Sequence, residues 1–311
     1  MSMHGKICVV TGGAGFIGSH VADALAAEGA TVRVVDDLST GKKENLTEVL
    51  PHIEFFEGSI ADAALLKKVF DGADFVFHQA AIPSVPKSVK DPLGTHYANV
   101  DGTLAVFLAA RDAGVSRVVY VSSSSVYGDS PTLPKQEDMP IRPLSPYAAH
   151  KAMGEFYGRL FSELYGLETV GLRYFNVFGP RQDPSSVYSG VISRFTMLIK
   201  AGEAPTIFGD GETSRDFTYI ANVVDANLKA AKAPKEKVTG KVINIASGTA
   251  TSLNELLAEL NGLLGTDITP KYEDFREGDI KHSLADISRA KDLLGFSPVV
   301  SFTEGLEKTV S

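Results

Sequence analysis

Short runs rich in β-branched and aromatic residues, at 6–11, 31–36, 53–57, 74–78, 117–122 and 168–173, alternate with segments whose apolar positions recur at helical spacing. The helical segments span 18–28, 62–70, 99–113 and 146–165. The strand runs are almost continuously apolar, as expected of strands covered on both faces, and each intervening segment is long enough for a crossover helix. This alternation predicts an α/β fold built on a doubly wound parallel sheet. After about residue 176 the regularity breaks: Gly179-Pro180, Asp183-Pro184 and Gly209-Asp210-Gly211 punctuate a mixed stretch, and 240–246 reads as one further strand. The expected organisation is therefore a first domain over 1–176 and a smaller mixed α/β C-terminal lobe over 177–311. The strand near 240–246 and part of 215–235 are expected to return to the first domain. No internal repeat or low-complexity segment is visible.

Composition narrows the partners. With 311 residues, 44% of them hydrophobic, the chain can bury a substantial core. Thirty Lys and Arg against 38 Asp and Glu leave a net charge of -8, which argues against DNA or RNA as a partner. Cys8, the single cysteine, lies in the apolar run Ile7-Cys8-Val9-Val10 and reads as a buried thiol with no disulfide partner. The N-terminus passes from Met1-Ser2-Met3-His4-Gly5-Lys6 directly into a strand, and no stretch of about 18 apolar residues occurs. No membrane association and a cytoplasmic location are the expectation. His20, His52, His96 and His282 show no metal-like spacing, so no metal is expected.

The first strand runs into Gly12-Gly13-Ala14-Gly15-Phe16-Ile17-Gly18, and a helix with Val21, Ala24 and Leu25 on one face follows. Glycines at 12, 15 and 18 permit a tight turn, close approach of backbone N–H groups to a pyrophosphate, and tight packing of helix on strand. Gly12, Gly15, Phe16 and Ile17 are thus candidates to hold a dinucleotide on the helix N-terminus. Asp36 closes the next strand, where a carboxylate accepts ribose hydroxyls and repels a 2′-phosphate; NAD is preferred over NADP. Arg33 and the Lys42-Lys43 pair are cations suited to such a phosphate, so NADP stays open at this point.

Two further segments carry chemistry. Ser122-Ser123-Ser124-Ser125 ends an inferred central strand, at the side of the sheet where ligands bind in open α/β folds. Tyr147 and Lys151 are four apart in the helix opened by Ser145-Pro146, so they share a face. Two charges about 6 Å apart at an effective dielectric of about 20 interact by roughly 3 kcal/mol, or about two pKa units. On this reading a tyrosine that titrates near 10 approaches about 8 and becomes a usable base.

Gly12-x-x-Gly15-x-x-Gly18, Ser123 and Tyr147-x-x-x-Lys151 resemble the glycine turn and Ser-Tyr-Lys triad of the extended short-chain dehydrogenase/reductases. The resemblance covers nearly the whole chain. His78-Gln79-Ala80-Ala81, Asn99-Val100-Asp101-Gly102-Thr103, Leu172-Arg173-Tyr174-Phe175-Asn176 and Arg215-Asp216-Phe217 are similar to that family's further signatures. It implies a Rossmann domain with NAD, and Ser123, Tyr147 and Lys151 as catalytic residues. Tyr147 would exchange the proton of a sugar 4-hydroxyl, Ser123 would hydrogen-bond that oxygen, and Lys151 would hold the nicotinamide ribose. The implied cofactor contacts also include Ser59, Ile60, Ala80, Ala81, Asn99 and Tyr174. Here the chain departs from the family, which often has an acidic then an aliphatic residue at the Ser59-Ile60 position. Substrate contacts are implied at Ser84, Ser123, Ser124 and Asn176, with Arg215 and Arg276 suited to a nucleotide diphosphate.

Within the family, 4,6-dehydratases carry an Asp-Glu pair directly after the catalytic hydroxyl residue, because elimination of water needs an extra acid and base. Ser124 and Ser125 stand there instead. Dehydration is disfavoured, and decarboxylation with it. The stretch 274–286 is similar to the C-terminal signature of UDP-hexose 4-epimerases, most of all the branch that takes UDP-N-acetylhexosamines. In that branch a small residue at the Ser283 position leaves room for an N-acetyl group. The resemblance thus implies an NAD-dependent 4-epimerase of UDP-sugars, UDP-GlcNAc/UDP-GalNAc and also UDP-Glc/UDP-Gal, acting through a transient 4-keto sugar. A reductase, decarboxylase or dehydratase of nucleotide sugars, and a non-catalytic NAD-binding regulator, are the alternatives. Apolar faces on 99–113 and 146–165 larger than the sheet needs imply a homodimer.

Overall fold

The computed structural model describes residues 2–183, 190–275 and 281–310. Strands β1 (Ile7–Thr11), β2 (Thr31–Asp36), β3 (Ile53–Glu57), β4 (Phe75–His78), β5 (Arg117–Ser123) and β6 (Glu168–Tyr174) are joined by a seventh, Lys241–Ile245. They form one sheet in the order Lys241–Ile245, β6, β5, β4, β1, β2, β3, and every neighbouring pair is parallel. The connections run one way from β1 and the other way from β4. Between the carboxyl ends of those two strands lies the crevice that such a reversal creates.

The predicted helices are present: α1 (Phe16–Ala27), α2 (Ala63–Phe70), α5 (Gly102–Asp112) and α6 (Pro146–Tyr165). Two short ones, α3 (Val85–Lys90) and α4 (Pro92–His96), were not anticipated. Their local signal is a capping residue followed within two positions by proline: the side chains of Ser84 and Asp91 accept hydrogen bonds from Lys87 N and Gly94 N. Alternation along each strand sorts the apolar residues between two cores. Cys8 and Val10 of β1 face α1 and α8 (Ile220–Lys232), whereas Val9 faces Leu66 of α2 and Phe107 of α5. Helices therefore cover both faces, and the sheet is the doubly wound one expected. Burying each such Val, Leu or Phe contributes about 1.5–3 kcal/mol.

The remaining chain forms a smaller mixed lobe of short strand pairs and helices. Val177–Phe178 pairs with Thr218–Tyr219 and Thr206–Phe208 with Lys271–Glu273 in parallel, and Ser214–Arg215 with Thr251–Ser252 antiparallel. Helices α7 (Val191–Lys200), Leu253–Leu264 and Phe302–Val310 pack together there, while Ser288–Leu294 lies against the Lys241–Ile245 strand and α8 of the main sheet. A ring cluster seals the lobe, with Phe302 at 5.7 Å from both Phe178 and Phe217. Among the described residues no helix is long and apolar enough to cross a membrane.

Candidate active site

A cavity of about 1290 Å³ crosses the carboxyl ends of the strands. At one end its wall is Gly12, Gly15, Phe16, Ile17 and Asp36, with Ser59 and Ile60 beside them. Ala80, Ala81 and Ser84 follow, and then Ser123, Ser124, Tyr147, Lys151 and Tyr174 at the centre. Asn176, Arg215 and Ser283 stand at the far end. Eighteen residues scattered from 12 to 283 thus meet in one space. Asn99 does not reach it: the π-helical turn Tyr97–Asp101 buries this residue behind the wall. Its amide instead takes both backbone groups of Ile82, Oδ1 accepting from Ile82 N at 2.7 Å and Nδ2 donating to Ile82 O at 3.2 Å. In this structure Asn99 supports the Ala80–Ile82 loop, of which Ala80, Ala81 and Ile82 line the cavity. Arg276 lies outside the described residues.

The glycine turn is shaped for close approach. Gly12 has φ +68°, and a Cβ on it would meet the Ala80 backbone at 2.6 Å; one on Gly18 would lie 2.1 Å from Gly12 O. No side chain caps the N-terminus of α1 at Gly15, so its first N–H groups remain available to an anion. Asp36 Oδ2 accepts from Ala14 N and Oδ1 from Leu38 N, both at 2.9 Å. Burial raises its pKa and these N–H bonds oppose the rise. Each oxygen keeps a lone pair for a ribose hydroxyl. A dinucleotide fits this cradle. Two of the three cations that left a 2′-phosphate open are engaged elsewhere, Arg33 on Val69 O and Asp71 O at 2.9 and 2.7 Å and Lys43 over the Phe55 ring at 4.9 Å, while Lys42 lines the cavity paired with Asp183 at 2.8 Å.

Below the turn, His78 is fully buried and its pKa falls to about 3, through burial and then the Lys151 charge. Its Nδ1 lies 2.7 Å from Thr11 Oγ1 and its Nε2 2.9 Å from Thr103 Oγ1. Because Thr103 donates to Asn99 O at 2.6 Å, its oxygen accepts from His78 Nε2–H, and Nδ1 accepts from Thr11. A neutral imidazole thereby ties β1 and β4 to α5 under the crevice.

At the centre, Ser123 ends β5 while Tyr147 and Lys151 stand on the first two turns of α6, whose N-cap Ser145 accepts from Ala148 N at 3.2 Å. Tyr147 N donates to Ser88 Oγ at 3.0 Å, and the Ser123 hydroxyl, which accepts from Ser125 N at 3.2 Å and Ser125 Oγ at 3.0 Å, lies close enough to the phenol to oppose the rise of its pKa. Lys151 Nζ stands 5.9 Å from the centre of the Tyr147 ring and donates to Val121 O at 3.2 Å. The expected drop of the tyrosine toward 8 is not what this environment produces. Burial pushes the Tyr147 phenol up, with the nearby Ser123 hydroxyl opposing, and burial pulls the Lys151 ammonium down from 10.5 to about 8. Desolvation disfavours both charged forms, and in the closed cleft it outweighs the attraction between them that helical spacing alone suggested.

At the far end, Arg215 Nη1 donates to Ser214 O at 2.8 Å and Lys281 O at 3.2 Å, and Ser283 N donates to Ser214 O at 3.1 Å. Asp216, unassigned by sequence reasoning, is the hub here. It accepts from Ser247 N and Oγ, Gly248 N and Ala285 N, and burial holds its pKa up at about 6. An acid between Arg215 and Phe217 in an apolar context was the available signal.

The chain matches the NAD dependent epimerase/dehydratase family over residues 8–246. It belongs to that family. It is similar to a UDP-glucose 4-epimerase of Mycolicibacterium smegmatis, with 42% identity over 97% of this chain and 96% of the relative. Among solved structures, the UDP-N-acetylglucosamine 4-epimerase from Methanobrevibacter ruminantium M1, in complex with UDP-N-acetylmuramic acid, superposes with TM-score 0.94 at 45% identity, covering 99% and 98% of the two chains. The UDP-glucose 4-epimerase of Thermotoga maritima with UDP-glucose gives TM-score 0.93 at 40% identity, over 98% and 97%. The crevice at the β1–β4 switch and the far end near Arg215 and Ser283 are one continuous space of about 1290 Å³. Among the described residues, no group of three His, Cys, Asp or Glu side chains is placed to hold a metal.

Proposed function

We propose that this protein is an NAD-dependent 4-epimerase of UDP-sugars. The observation that carries the reading is the meeting of Ser123, Tyr147 and Lys151 on one cavity wall between the glycine turn and the Arg215–Ser283 end. Residues 1–176 with the strand near 240–246 would hold the dinucleotide through Gly12, Gly15, Asp36 and Lys151, and the 177–311 lobe the nucleotide sugar. NAD supplies a hydride acceptor and donor at sugar C4. Ser123 orients the 4-hydroxyl and Tyr147 removes its proton and later returns it, so no net proton or hydride is consumed. Burial raises the Tyr147 phenol, and the cationic nicotinamide of bound NAD would lower it again, so that Tyr147 would serve as base in the loaded protein.

Serine at 124 and 125 leaves no acid next to Ser123 for dehydration or decarboxylation. Ser283, small and on the cavity wall, favours acceptance of UDP-GlcNAc and UDP-GalNAc together with UDP-Glc and UDP-Gal. Arg215 and Arg276 are assigned to the diphosphate. A homodimer belongs to the same proposal: Leu108 on α5 and Met153, Phe156, Leu160 and Leu164 on α6 are exposed on helices that pack together. So does a cytoplasmic setting.

The test is incubation with UDP-Glc, UDP-GlcNAc and UDP-glucuronate separately, followed by resolution of the products. Epimers without accumulation of NADH support the reading. Tyr147→Phe is expected to keep NAD bound while turnover falls by orders of magnitude; an unchanged rate removes Tyr147 from the mechanism.

A further inference from the structure

Beneath the wall that carries Ser123 lies a buried cluster in which Glu155 and Arg173 stay off the cavity and only Ser122 lines it. Glu155 accepts from Arg173 Nε at 2.8 Å and Nη2 at 2.7 Å, and from Ser122 Oγ at 2.5 Å. The Glu155 and Arg173 side chains are only 6% and 4% exposed. Arg173 also lies over the Tyr127 ring at 4.7 Å. A charge pair this deep contributes little net stability compared with apolar packing of the same volume, because desolvation consumes most of the attraction. Its placement points elsewhere. Ser122 directly precedes Ser123, Arg173 directly precedes Tyr174, and Glu155 stands one turn beyond Lys151 on the same face of α6.

We propose that Ser122, Glu155 and Arg173 form a positioning device that sets the register of α6 on β5 and β6, and with it the reach of the Tyr147 phenol to the Ser123 hydroxyl. The catalytic groups come from two elements, and apolar packing between a helix and a sheet is non-directional. Hydrogen bonds are directional, and α6 is pinned to consecutive residues of β5 by two of them a turn apart. Lys151 Nζ donates to Val121 O, and Glu155 accepts from Ser122. Arg173 ties the same carboxylate to β6, so the helix can neither slide nor roll against the strand ends. Glu155 and Arg173 do not line the cavity and the Ser122 hydroxyl is bonded to Glu155, so all three act by positioning. The inference rests on the epimerase reading.

Ser122→Ala tests it, since it deletes one buried hydroxyl and leaves the Glu155–Arg173 pair intact. The expected result is unchanged NAD content, KM for the UDP-sugar within about twofold, and kcat lower by roughly tenfold. The pH profile distinguishes positioning from general damage. A hydroxyl within reach of the phenol favours the phenolate, so moving Ser123 away shifts the limb along which activity falls on acidification to higher pH, by about half a unit or more. Ser122→Thr, which keeps the hydroxyl, is expected to restore the limb. Unchanged kcat and limb overturn the proposal, as does a fall in kcat with an unmoved limb that Thr does not rescue. Should the wild-type protein turn over none of the UDP-sugars, the functional reading fails. The phenol is then titrated by its absorbance with NAD present, using Tyr147→Phe as the blank, and an unmoved titration in Ser122→Ala overturns the positioning role separately.

Discussion

Replacing Lys151 by methionine should make the NAD-free protein more stable while destroying its activity. The buried ammonium is costly: its pKa falls from 10.5 to about 8. At about 1.4 kcal/mol per unit, holding the proton near pH 7 costs roughly 3 kcal/mol. Methionine fills similar space without charge, but leaves Val121 O without its 3.2 Å partner, a loss of about 1 kcal/mol. The net gain is about 2 kcal/mol, or a few degrees in melting temperature for a chain of this size. The sign of the pH dependence follows from the proton count. Between about 8 and 10.5 the folded wild type has shed the proton that the unfolded chain still holds, so raising pH stabilises it. Below about 8 both states are protonated and the cost is paid in full. The advantage of Lys151→Met should therefore be largest near pH 7 and shrink as pH climbs through the 8 to 10.5 window. Comparing the two proteins at each pH cancels the opposite alkaline contribution of buried Cys8, whose thiol is pushed up to about 12. The assay is thermal melting of stripped protein across this range, with turnover measured in parallel. A variant that melts below wild type near neutral pH, or a difference that does not narrow on raising the pH, refutes the account of Lys151 as a strained ammonium.

Three other outcomes are expected. Gly18→Ala places a methyl 2.1 Å from Gly12 O, so α1 must back away from the turn at a cost of about 1–3 kcal/mol; NAD affinity by calorimetry should fall at least about tenfold, and wild-type affinity would show that the helix does not need this approach. Ser283→Tyr narrows the far end of the cavity and should abolish turnover of UDP-GlcNAc and UDP-GalNAc while sparing UDP-Glc and UDP-Gal; equal loss on both pairs counts against its role. Phe156 and Leu164 are 51% and 68% exposed, and Phe156→Glu with Leu164→Glu should convert a sedimenting dimer to a folded monomer; a wild-type protein that sediments as a monomer at micromolar concentration sinks the proposed association.

Much of this architecture is written locally. Alternating strand and helix periodicity marked six parallel strands and four covering helices, since side-chain direction repeats every two residues in one and every 3.6 in the other. The Gly12–Gly18 turn and the Tyr147–Lys151 spacing are legible for the same reason: conformational freedom at glycine and one helical turn are properties of neighbours in sequence. The short helices α3 and α4 escaped because six and five residues carry too little periodicity, although Ser84 and Asp91 mark their caps. What each charged group experiences is decided by everything folded around it. Spacing alone brings an ammonium beside Tyr147 and argues for an acidic phenol, yet packing strips water from both groups and moves them toward their neutral forms. Only the assembled sheet turns Arg33 away from the ribose end, sets Asn99 behind the wall, gathers the Asp216 donors from 247, 248 and 285, and joins Ser122 and Arg173 through Glu155. Desolvation and hydrogen-bond partnership depend on contacts dozens of residues apart, and those come into being only when the chain is packed.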